Sequence, residues 1–135
     1  MKSKRKLAFI WVLALLAVLT VARYSLFTTA WGFNTATLHC EINGIPTETV
    51  LADEDWDTIA SALNFKLMEK NVYHCPIGKE LYISVDNGTD FYIAKDGCFL
   101  INVSDGSRCI SLEGEDALSV KNILLKYGVD FPVTP

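Results

Sequence analysis

The chain has 135 residues, half of them hydrophobic, with sixteen acidic against twelve basic side chains and a net charge of −4. That length supports one modest folded domain. The acidic balance excludes a surface built for nucleic acid or anionic lipid, since both demand clustered cations.

The charges are strongly polarised along the chain. Lys2, Lys4, Arg5 and Lys6 form a basic tip, Leu7–Ala22 carries no charge, and every acid and every cysteine comes later. Past Arg23, seven bases (Lys66, Lys70, Lys79, Lys95, Arg108, Lys121 and Lys126) face sixteen acids. The uncharged run is sixteen residues long, slightly under the ~20 that a membrane-spanning helix needs. Arg23 can snorkel to an interface, and Trp31 and Phe33 suit the headgroup level. The expected organisation is a cytoplasmic basic tip at 1–6, a transmembrane anchor or uncleaved signal at 7–27, a juxtamembrane linker at 28–36 and an extracytoplasmic domain at 37–135. The competing reading is a cleaved signal peptide, with small residues at Thr20–Ala22 and Thr28–Ala30 offering cleavage sites and a secreted product. Cations before the apolar run place the N-terminus inside and the domain outside, in the periplasm of a bacterial cell.

Within the domain, Asn43-Gly44 predicts a hairpin with strands near 37–42 and 45–51, because both central residues of a type I′ turn take positive φ. Asp53-Glu54-Asp55 then opens a helix. Asp53 is the expected N-cap, and the acids favour the positive end of the helix dipole. Trp56, Ile59, Ala60, Leu63 and Leu67 recur at helical spacing as its buried stripe.

Asn87-Gly88, Asp96-Gly97 and Asp105-Gly106 follow at a constant nine-residue interval. They predict a four-stranded antiparallel meander over 81–86, 89–95, 98–104 and 107–112. Two-residue turns would set 84 opposite 91, 93 opposite 100 and 102 opposite 109. In that register Leu81, Ile83, Val85, Tyr92, Ala94, Phe99, Ile101, Val103, Ile110 and Leu112 share a core face. Tyr82, Ser84, Phe91, Ile93, Cys98, Leu100, Asn102, Cys109 and Ser111 share a mixed one. A last helix runs from Glu115 to about Tyr127 and stops at Gly128. The fold class is α+β, order ββαββββα, with helices packed on an antiparallel sheet.

Cys40, Cys75, Cys98 and Cys109 are an even set in an exported context, which predicts two disulfides. In the expected register Cys98 lies ~13 Å along its strand from the residue opposite Cys109. That exceeds the ~7 Å limit for a bridge, so each should bond to Cys40 or Cys75. His39-Cys40 and His74-Cys75 match no zinc-site spacing. They supply the only side chains that titrate near neutrality unperturbed, which admits a pH-sensing role. Nucleotide, hydrolase and metalloprotease motifs are absent from the sequence, so neither an enzyme nor a cofactor or metal site is expected.

The expected function is protein binding. The partner surface is placed on the acidic stretch at Glu41, Glu48, Asp53 and Asp55, and on the mixed sheet face at Tyr82 and Phe91. The leading reading is a membrane-anchored accessory module for another protein, membrane-associated or basic. Its layout is similar to that of small periplasmic proteins that stabilise a membrane-bound regulator. The alternative is an exported inhibitor or immunity protein that neutralises a basic toxin or a lysozyme-like enzyme through its acidic face.

Overall fold

The computed structural model describes residues 2–26, 34–70, 80–94, 100–103 and 108–131. Helix α1, Lys2–Leu26, covers the basic tip and the apolar run. It exposes Leu7, Phe9, Ile10, Trp11, Val12, Leu13, Leu15, Leu16, Val18, Leu19 and Val21, each 50–69% accessible. These residues cover every side of the helix, so no one stripe of it packs on the domain. Its uncharged run rises about 24 Å, short of a ~30 Å hydrocarbon core. Among the described residues no helix is long and apolar enough to cross a membrane.

The domain is α+β. Strands β1 (Ala36–Ile42), β2 (Ile45–Val50), β3 (Glu69–Lys70), β4 (Tyr82–Val85), β5 (Asp90–Ile93), β6 (Leu100–Val103) and β7 (Arg108–Ser111) form one sheet in the order β2-β1-β4-β5-β6-β7-β3. All pairings are antiparallel, and β4–β7 are the expected four-stranded meander. Helices α2 (Asp53–Leu63) and α3 (Gly114–Lys126) pack on it. The core joins Leu38, Ile83, Phe91, Ile93, Ile101 and Ile110 from the sheet to Trp56, Ile59, Leu63, Val120 and Leu124 from the helices. Trp56 meets Phe91 with ring centroids 6.5 Å apart at 46°, a tilted contact that adds to the area both rings bury.

The β1–β2 turn is the expected two-residue type, with Asn43 at φ 52° and Gly44 at φ 79°. Pro46 is tolerated in β2 because β2 is an edge strand, where an N–H pointing away from the sheet is dispensable. The next hairpin departs from expectation. Ser84 pairs with Asp90 rather than Phe91, and Val85 N–H bonds the Thr89 carbonyl at 2.9 Å. Asp86, Asn87 and Gly88 therefore form a three-residue loop. Gly88 N–H returns to the Val85 carbonyl, Gly88 sits at φ 85°, and the Asn87 side chain accepts from Thr89 N–H. This is a turn closed by a left-handed glycine bulge.

One extra loop residue turns β5 over. Phe91 and Ile93 enter the core at 1% exposure, and Tyr92 moves to the opposite face. The expected placement of Phe91 and Ile93 on the mixed face, and of Tyr92 in the core, is thus corrected. Between β5 and β6 the pairing is again one residue wider than expected, Ile93 opposite Ile101. The two shifts cancel, so Ile101 and Ile110 are core residues and Asn102 faces Cys109 as anticipated. The turns at Asp96-Gly97 and Asp105-Gly106, and the core position of Phe99, lie outside the described residues.

Helix α2 also differs at both ends. Ala52, not Asp53, occupies the N-cap, with no side-chain cap bond; the three acids of the first turn act through the helix dipole instead. The helix stops at Leu63, and Phe65 at φ 59° redirects the chain. Leu67 is consequently 53% exposed and leaves the stripe it was assigned to. Strand β3, too short to show a period, was not expected. Helix α3 ends as predicted: Gly128 N–H bonds the Leu125 carbonyl and Val129 N–H the Leu124 carbonyl, a Schellman closure with Gly128 at φ 85°. At this end the Tyr127 hydroxyl accepts from Ala52 N–H at 2.9 Å and donates to Asp55 at 2.7 Å. Lys126 reaches the same carboxylate at 2.7 Å. The hydrogen bonds from Lys126 and then Tyr127 hold the Asp55 carboxyl below its ordinary value. They tie the start of α2 to the end of α3.

Candidate functional site

Antiparallel register aligns one residue from every strand across the sheet. The row runs Glu48, His39, Tyr82, Tyr92, Asn102, Cys109, Glu69. It lies on the face opposite α2 and α3, because its neighbours Leu38, Ile83 and Phe91 point into the helix-covered core. At the β6–β7 end this face is closed, with Ala94 and Cys109 buried. At the β1–β4 end it is half-open, and His39, Tyr82, Ser84 and Tyr92 are all partly accessible.

His39 is held on three sides. Its ring stacks on Tyr82, centroids 4.2 Å apart and planes within 4°. Nδ1 lies 3.2 Å from a Glu48 carboxylate oxygen, and Nε2 lies 2.8 Å from Ser84 Oγ. Tyr82 in turn meets Tyr92 at 5.1 Å and 32°. The Tyr92 hydroxyl donates to Asp90 at 3.3 Å, and burial, reinforced by the Asp90 charge, pushes that phenol up. Beside this stack a concavity of about 320 Å³ is lined by His39, Cys40, Glu41, Pro46, Thr47, Glu48, Glu80 and Tyr82.

Ser84, His39 and Glu48 stand in the order of a nucleophile, a base and an orienting acid. Acyl transfer also needs main-chain donors aimed at the developing oxyanion. Here Ser84 pairs with Thr37 in the β1–β4 ladder and Val85 N–H is spent on Thr89. Ser84 also does not line the concavity. The network orients the imidazole and builds a wall. Among the described residues no three His, Cys, Asp or Glu side chains come together as a metal site.

Of the residues singled out from the sequence, Glu41, Glu48 and Tyr82 meet at this concavity. Asp53 and Asp55 belong to α2, and Asp55 is engaged by Lys126 and Tyr127. Phe91 is buried in the core and presents nothing to a partner. Sequence reasoning missed the site roles of His39 and Glu80. His39 was legible as the mid-strand residue opposite Glu48; Glu80 gave no signal beyond its charge. Cys40 lies on the helix-covered face and Cys109 on the other, four strands away, roughly 19 Å at ~4.8 Å per strand. That distance precludes a bond between these two. Cys75 and Cys98 lie outside the described residues.

No family model, no curated protein and no solved structure matches the chain.

Proposed function

We propose that the chain is a membrane-anchored protein-binding module whose α+β domain lies outside the cytoplasmic membrane and contacts its partner through the half-open sheet face. The observation that carries this reading is α1. Eleven large apolar side chains, exposed on every side of one helix, call for lipid or another protein around them. The basic residues before the run set the orientation. Arg23 follows the run, and an arginine near a helix end can snorkel to the interface. The domain has a rigid, partly exposed aromatic wall, and protein interfaces favour such walls. The four cysteines suit an oxidising compartment; with Cys98 and Cys109 in different bridges, the reading pairs Cys109 with Cys75 and Cys40 with Cys98.

A C-terminal tag should be cut by protease added to spheroplasts, and the intact mass should retain Met1–Leu26. A protected tag would reverse the topology, and a mature N-terminus at Arg23 or Trp31 would end the anchor. The acid lining of the concavity favours a second reading, an inhibitor or immunity protein for a basic enzyme. In that case charge reversal at Glu41 with Glu48 should weaken inhibition of the enzyme. Affinity should also fall steeply as salt shortens the ~10 Å screening length.

A further inference from the structure

We infer that the concavity between the β1–β2 hairpin and β4 receives a cationic side chain of the partner, an arginine in preference to a lysine. This rests on the protein-binding reading above and names its chemistry.

Three features of the concavity select that occupant. Among the described residues its lining carries three carboxylates, Glu41, Glu48 and Glu80, and neither lysine nor arginine. Elsewhere in the domain Lys66 is bound to Asp116 and Lys126 to Asp55. The second feature is the wall. A solvated acidic rim would have no preferred geometry, but here His39 is pinned by Glu48, Ser84 and the Tyr82 ring. A planar cation meets aromatic groups and a carboxylate that are already in position, so little ordering cost remains at binding. The third is size. About 320 Å³ lies at the low end of small-ligand pockets, ~300–1,000 Å³, and suits one long side chain rather than a folded element. The alkyl stem would rest on Pro46 and Thr47 while the head met the carboxylates. Guanidinium fits better than ammonium. Its flat fork bonds carboxylates in pairs and stacks on rings, and it is less strongly hydrated.

The wider charge pattern agrees. Past Arg23 the chain carries sixteen acids against seven bases, so its field draws a basic segment towards the domain before contact.

The test uses the full-length chain in detergent micelles, titrated with capped Ala-Arg-Ala and followed by the ring resonances of His39 and Tyr82. Capped Ala-citrulline-Ala serves as the neutral isostere. The arginine peptide should give a saturable shift, and the citrulline peptide should bind at least about tenfold more weakly, the loss expected for a charge-assisted bond. The lysine peptide should fall between them. Glu41→Gln together with Glu80→Gln should weaken the arginine peptide by a similar factor and leave the amide spectrum of the core unchanged. Both side chains are exposed, so the fold does not depend on them. Equal responses to arginine and citrulline, or a double variant that binds arginine as well as the parent, would overturn the proposal. Cross-linking in intact cells separates this from the parent reading. A partner held equally by the parent and the double variant would overturn the cation pocket and leave the binding module standing. Loss of every cross-link in the parent would remove the module, while the peptide titration still decides the pocket.

Discussion

Replacing Phe91 by alanine tests the register on which the site depends. Phe91 is 1% exposed and packs on Trp56. Truncating such a ring removes its buried apolar area and leaves a cavity, at a cost of ~3–5 kcal/mol. A domain of this size is stable by only ~5–15 kcal/mol, so the variant loses roughly a fifth of its stability or more. With a mid-range urea slope of ~2 kcal/mol/M the midpoint should drop by roughly 1.5–2.5 M. The neighbouring Tyr92 is the control. It is only partly buried and makes a tilted contact with Tyr82 and a long bond to Asp90. Tyr92→Ala should cost about 1 kcal/mol. Both variants of the full-length chain, in detergent micelles, are unfolded in urea and followed by near-ultraviolet dichroism. If Tyr92→Ala proves the more damaging, β5 is turned the other way and the aromatic row does not exist as described.

Three further outcomes follow from the packing. Tyr127→Phe removes the hydroxyl that joins Ala52 N–H to Asp55 and should cost about 1–2 kcal/mol in a urea titration. Because Asp55 titrates below its ordinary value in the folded chain, its stabilisation is complete above ~3.9 and is lost as pH falls through the lower folded pKa. In Tyr127→Phe the folded pKa should rise towards the unfolded one, so the loss should be smaller and complete at a higher pH, which an NMR titration of the Asp55 carboxyl would show. Gly88→Ala meets no atom within 4 Å and should cost only the left-handed backbone penalty of ~1–2 kcal/mol. Gly128→Ala adds a contact 3.2 Å from Ile42 Cδ1 and should unfold at a lower temperature than Gly88→Ala. Non-reducing peptide mapping should find Cys109 joined to Cys75 and Cys40 joined to Cys98; a Cys40–Cys109 peptide would contradict the strand order.

The parts of the fold that depend on local chemistry were readable in the sequence. Asn43-Gly44 gave its two-residue turn, Gly128 ended α3, and the order ββαββββα holds apart from the added β3. The failure at Asn87-Gly88 is instructive because the dipeptide is of the same kind. Asn-Gly also fits a three-residue loop in which asparagine takes the right-handed position and glycine alone the left-handed one. The turn signal is therefore ambiguous by one residue, and side-chain burial decides. Phe91 and Ile93 are more apolar than Tyr92 and Ala94, so the strand pattern held the answer that the turn did not. The site was half legible for the same reason. Glu41, Glu48 and Tyr82 were identified from charge and face, but His39 gains its role only through partners on β2 and β4. Leu67 misled because helical spacing continued after the helix had stopped; periodicity does not register a chain reversal such as the one at Phe65.

The row from Glu48 to Glu69 takes one residue from each of the seven strands. No stretch of it is continuous in the chain, so no peptide cut from this protein can reproduce it. A partner that reads the accessible part of the row, Glu48, His39, Tyr82 and Tyr92, reads the correct pairing of β2, β1, β4 and β5. It would ignore nascent, unfolded or clipped copies and hold only finished ones. By mass action that partner would also stabilise the finished copy, by RT ln(1 + [L]/Kd). Recognition and quality control would then be a single event.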